Sequence, residues 1–125
     1  MNKTAQKFLE KAEEAQRASY LAITYKDFES AASIAYQGLF FTAQALLQAK
    51  EVKYRHSHSA VIKMFGMEYA KTQEMDAKFH RYLIDARKIA VIADHRIDKQ
   101  VNEEQVREML VWAKEFLKAG ENYLK

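Results

Sequence analysis

The chain has 125 residues, enough to bury most of one hydrophobic core and the size of one domain, residues 1–125. Twenty Lys and Arg against seventeen Asp and Glu leave a formal charge of +3, so a surface cationic throughout is excluded and any RNA site must be local. The absence of cysteine excludes a disulfide framework and thiolate metal ligation, and it suits a reducing cytoplasm.

With no proline and only Gly38, Gly66 and Gly120, nothing covalent interrupts long helices. The start, MNKTAQKFLEKAEEAQ, is amphipathic and contains acids, which reads as a helix and not a signal or transit peptide, so the mature protein is expected to begin near Met1. That first helix runs from about Thr4 to Thr24, with Phe8, Ala12, Ala15, Ser19 and Ile23 on one side. Asp27 can cap a second helix reaching about Lys50, because its carboxylate can accept an orphaned backbone N–H while Glu29 meets the positive end of the dipole. The middle of this helix, AASIAYQGLFFTAQALL, is apolar on most sides, so it is the central element or packs against a second subunit as well. Ala31, Ala32, Ala35 and Gly38 would allow close helix approach.

A short third helix, about Ser59 to Ala70, presents Val61, Met64 and Phe65, and a fourth runs from about Met75 to His95. The fifth has the clearest start: in VNEEQV, Asn102 can cap Gln105 while Gln105 reaches back, and Val101 can staple against Val106. Leu110, Ala113, Leu117, Gly120 and Leu124 continue its buried stripe. No strand-like alternation and no long repeat occur, and no apolar run is long enough for a membrane span. The expected fold is therefore all-α: an antiparallel up-and-down bundle of four to five helices with the short third one leaning across it.

Chemistry concentrates in DARKIAVIADHRID, residues 85–98. Phe79, Leu83, Ala86, Ala90, Ala93 and Ile97 form a core stripe, and at about 100° per residue Arg87 projects roughly a quarter turn away from it, with Ile84, Val91, Asp94 and His95 nearby. A charged edge on a solvated helix is the commoner meaning of such a face. The phosphate reading stays open beside it: Arg offers a planar fork of donors, His exchanges a proton near neutral pH, and Asp can hold the imidazole in one tautomer. Together these are parts of an RNA-cleaving site that uses the substrate's own 2′-hydroxyl and needs no metal. His56 and His58 make one H-x-H pair in a basic stretch, and His80 and His95 stand apart, so no metal site and no cofactor is expected; His58 reads as a cap or helix-start residue. Phe40, Phe41, Phe79, Trp112 and Phe116 read as packing.

The segments FLEKAEEAQRAS, DFESAASIAYQGLFFTAQALL, HSAVIKMFGMEYAKTQEMD, IADH and VREMLVWAKEFLKAGENYL together resemble a HEPN domain, a helical module of prokaryotes and higher eukaryotes, and are most similar to its small single-domain prokaryotic branch. The resemblance implies a bundle that pairs into a homodimer, often encoded beside a minimal nucleotidyltransferase partner, and some such proteins are metal-independent ribonucleases acting as toxins. It also implies a catalytic arginine and histidine, placed here at Arg87 and His95 with Asp94 orienting or shielding the imidazole; beside it, the residues alone offer Arg96 as a phosphate contact and the basic KYRHSH segment, with Arg55 and His58, as a binding surface for phosphate or a partner. Seven residues separate Arg87 from His95, more than in the family pattern. Aligning the branch's Asp-Tyr pair with Asp94 and His95 puts Ala90 or Val91 where its arginine stands. Two functions follow: an RNA-directed effector, or a non-catalytic module that binds a nucleotide or a nucleotidyltransferase. Plain structural dimerisation would also explain the apolar second helix.

Overall fold

A computed structural model describes residues 2–95 and 100–125. It is all helical: α1 Lys3–Thr24, α2 Phe28–Ala49, α3 His58–Phe65, a π-helical turn Gly66–Ala70, α4 Lys78–His95 and α5 Glu103–Tyr123, with no strand among the described residues. The three-residue turn at 25–27, with Lys26 in the left-handed region at φ 60°, sends α2 back along α1. Asn2, Asp27, Ser57 and Asn102 cap their helices through side-chain oxygens, and Asn102 with Gln105 forms the reciprocal box expected from VNEEQV.

The apolar character of α2 follows from its position, since it packs against α1, α3, α4 and α5. Ala31, Ala32, Ala35, Leu39, Ala43, Leu46 and Leu47 are all buried. Close approach to α1 comes from alanines on both helices and does not need glycine: a Cβ at Gly38 would sit 3.7 Å from the Ala15 Cβ, an ordinary contact. Polar groups in this core are partnered, as where Ser19 Oγ donates to the Ala31 carbonyl at 2.7 Å. On α4, Phe79, Leu83, Ala86, Ala90 and Ala93 are buried as the spacing predicts; Ile97 lies outside the described residues. On α1 the stripe is rotated slightly, with Ala5 and Leu9 buried and Phe8 at its edge against Phe41.

The third element departs from expectation. It begins at His58, and after Phe65 the backbone widens, with the Lys71 N–H reaching the Gly66 carbonyl five residues back at 2.8 Å. This turn buries Tyr69, whose hydroxyl donates to the Leu46 carbonyl. It also lays Gly66 against His80: a Cβ there would come within 2.6 Å of His80 Nε2.

A polar clamp closes the segment that follows. The Glu74 carboxylate receives Lys50 Nζ at 2.6 Å, Thr72 Oγ1 at 2.9 Å and the Tyr123 hydroxyl at 2.8 Å, and these donors hold its pKa down at about 2 from the ordinary 4.5. A depressed carboxylate contributes stability above its unfolded value and loses it as pH falls through the folded value. Acid titration of Glu74→Gln, followed by circular dichroism, should therefore lose less stability than the parent chain between pH 4.5 and 2. An identical acid limb in both proteins would count against the clamp.

Candidate functional site

Ser57 Oγ accepts the Ala60 N–H, so α3 starts at His58 and carries that imidazole at its first position. The ring lies 4.5 Å, centroid to centroid, from Phe40 and meets the Tyr36 hydroxyl through Nδ1 at 2.9 Å. The opposite side of Tyr36's environment belongs to α4: the Arg87 guanidinium carbon is 5.6 Å from the centre of the Tyr36 ring, within cation–π range. Three helices thus place Arg87, Tyr36 and His58 together.

Arg87 and His58 border a groove of about 770 Å³ between α3 and α4, with Tyr36 buried behind them. His58, Lys63, His80, Arg87 and Lys88 line it with Ser57 and Ser59, Ile62 and Ile84 supply apolar wall, and no carboxylate is among the lining residues. Arg87 is half-buried and has no carboxylate within ion-pair distance among the described residues.

Burial pushes the Tyr36 phenol up to about 12, against the opposing pull of Arg87, so it stays protonated. Burial chiefly, and the Arg87 charge second, push His58 below its ordinary value, while Asp94 acts in the other direction. At neutral pH His58 is accordingly uncharged in the empty groove.

The residues expected to act together divide among three places. Arg87 and His58 share the groove. Asp94 borders a hollow of about 230 Å³ with Glu29, Ser30, Ser33 and Ile34 of the α2 side, from where its charge still acts on His58. His95 is exposed at the end of α4 and its Nδ1 donates to the Val91 carbonyl at 2.7 Å, so that carbonyl, and not Asp94, orients the ring. Eight positions along a helix advance about 12 Å and rotate by roughly 80°, which separates Arg87 from His95. Arg55 is exposed in the connection before α3 and does not line the groove, and Arg96 lies outside the described residues. The neighbour of Arg55 in sequence, His56, bonds Gln44 Oε1 through Nδ1 at 2.8 Å.

Sequence reasoning did not anticipate Tyr36, Lys63, His80 or Lys88 here. Tyr36 had a usable signal, because a phenol in a largely apolar helix needs a polar partner when buried. The others depend on how α3 docks, which spacing does not encode. Among the described residues no three His, Asp or Glu stand close enough to hold a metal ion, and no helix is long and apolar enough to cross a membrane.

A family model for the HEPN domain matches residues 5–123. The chain belongs to the HEPN domain family. It is 31% identical over 119 residues to "Putative toxin MJ0142" of Methanocaldococcus jannaschii, covering 95% of this chain and 80% of that protein. A second protein of that organism, "Putative toxin MJ0605", is 30% identical over 79% of this chain and 73% of its own length. "UPF0332 protein glr0978" of Gloeobacter violaceus is 28% identical over 76% of this chain and 75% of its own. In this HEPN domain the α3/α4 groove gathers Arg87, Lys88, Lys63, His58 and His80.

Proposed function

We propose that this HEPN domain is a toxin-type, RNA-directed protein that works as a homodimer in the cytoplasm, with the RNA phosphate held in the Arg87 groove. One observation carries the reading: a half-buried arginine without a carboxylate partner, in a groove lined by further cations and histidines and by no acid. The toxin names of the two Methanocaldococcus proteins support it. The reaction open to such a groove is transphosphorylation. The RNA 2′-oxygen bonds to phosphorus as the P–O5′ bond breaks, a base takes the 2′-hydroxyl proton, the leaving 5′-oxygen gains a proton, and a 2′,3′-cyclic phosphate results. Arg87 would stabilise the charge that builds on the non-bridging oxygens. His95 from the second subunit would be the proton acceptor.

The experiment is incubation of purified protein with single-stranded RNA in excess chelator. Products ending in 2′,3′-cyclic phosphate and 5′-hydroxyl support the reading, and failure both to cleave and to bind RNA overturns it. Binding without cleavage selects the second reading, a non-catalytic module for a nucleotide or for a minimal nucleotidyltransferase partner, which the position of His95 outside the groove favours.

The dimer has its own test. Ile84 and Val91 are half-buried on the α4 face that carries Arg87, whereas Lys88 is exposed. Val91→Glu would bury an unpaired charge in an interface formed there, so it should weaken the dimer by roughly tenfold or more, while Lys88→Glu should do less. Light scattering across a dilution series reads the difference, and equal effects would move the interface elsewhere.

A further inference from the structure

We infer that Arg87 and His58 form a phosphate-binding pair within one subunit, held at a set spacing by Tyr36, and that this pair, not Arg87 with His95 along α4, is what grips the ligand. The inference rests on the RNA reading only for the source of the phosphate.

Three features converge on it. Tyr36 touches both partners, its ring facing the Arg87 guanidinium at 5.6 Å and its hydroxyl bonded to His58 Nδ1 at 2.9 Å, so neither prong is free to swing away. The two side chains line one groove. Finally, the Ser57 cap satisfies only the Ala60 N–H, and the first N–H groups of a helix have no intrahelical acceptor, so α3 adds backbone donors where His58 stands. An anion reaching the pair meets a planar fork from one wall and an imidazole with unpaired amides from the other.

A bound anion favours the imidazolium. The groups facing His58 are Tyr36 from α2 and Arg87 and Asp94 from α4, with Lys63, His80 and Lys88 along the same groove. In the empty groove burial and Arg87 keep His58 neutral; ligand binding raises its pKa and takes up a proton. Affinity therefore rises as pH falls through the bound-state value and levels off below the free-state value.

The probe is dimethyl phosphate, a phosphodiester monoanion that does not itself titrate near neutrality, added to the full chain while the four histidine rings are followed by NMR from pH 5 to 8. The expected result is a shift of the His58 resonances and an upward move of its titration midpoint. Arg87→Gln should remove the response, and Arg87→Lys, which keeps the charge without the fork, should retain a weaker one. Tyr36→Phe keeps the ring under Arg87 but frees the imidazole, so binding should weaken by about 3–10-fold and lose part of its pH dependence. Arg107→Gln, which removes a cation paired with Glu103 outside the groove, should leave both unchanged. Circular dichroism confirms that each variant is folded. A response at His95 or His80 without one at His58, or a Tyr36→Phe chain that binds as the parent does, overturns the pair. Competition then separates the sources. Displacement of the probe by a short single-stranded oligoribonucleotide supports both the pair and the RNA reading; displacement by AMP alone supports the pair while the RNA reading falls.

Discussion

Arg87→Gln is expected to lower affinity for single-stranded RNA by about 10–100-fold at fixed salt, since it removes charge-assisted hydrogen bonds from a partly desolvated groove. Fluorescence anisotropy with a labelled oligoribonucleotide measures this, and the salt concentration must be held constant because phosphate binding releases counterions. Lys88→Gln, at an exposed position on the rim, should cost several-fold less. Thermal stability separates function from structure here. Arg87 has no carboxylate partner among the described residues, so its loss orphans no buried charge and gives up only its contact with the Tyr36 ring. The expected pattern is a large loss of binding with a small loss of stability. A large drop in melting temperature with RNA affinity intact would make Arg87 a structural residue.

The largest effect on folding is expected at Phe65. Its side chain is fully buried, stacked on Tyr69 with centroids 5.4 Å apart and edge-on to Phe116 at 5.1 Å. It ties α3, which is only 8 residues long, to α5. Such a helix is marginal alone and owes its place to the apolar residues it buries. Phe65→Ala should cost about 3–5 kcal/mol through lost transfer energy and the cavity left behind. Chemical denaturation measures it, with Phe41→Ala as the comparison because Phe41 is only half-buried and should lose much less. Equal losses at the two positions would mean that α3 is not held by this aromatic cluster. If α3 loosens, His58 and Lys63 leave the groove with it, so RNA binding should fall before global unfolding is complete.

Much of the fold was legible because it depends on local chemistry. The Asn102 and Gln105 box, the Asp27 cap and the α4 stripe each rest on residues a few positions apart, and all three stand where the spacing puts them. The continuous apolar surface of α2 announced a central helix before any neighbour was known, and four helices do surround it. Less was legible in the third element, where periodicity alone reads residues 59–70 as one helix. The wide turn after Phe65 is set by tertiary demands, the burial of Tyr69 against Leu46 and the fit of Gly66 on His80. The site suffered for a related reason. Arg87 could be found from its position on α4, but its companions come from α2 and α3, and nothing in the spacing of DARKIAVIADHRID points to a tyrosine 51 positions earlier. His95 was expected in the same constellation through resemblance; its ring is bonded to its own helix, and the groove is bordered by His58.

The π-helical turn at Gly66–Ala70 has a further consequence for how chains of this kind can diverge. Such a turn holds one residue more than an α-helix of the same span, so it has the character of an accepted single-residue insertion. Deleting one residue there would restore ordinary winding without turning α3, because the wide turn already absorbs the extra residue and the buried Val61 and Phe65 hold the helix in place. What would change is local: the displacement that buries Tyr69 and lays Gly66 against His80. Length in this segment is therefore a heritable variable in its own right: a relative one residue shorter would keep its α3 wall and Arg87 in place while seating His80, at the far end of the groove, differently.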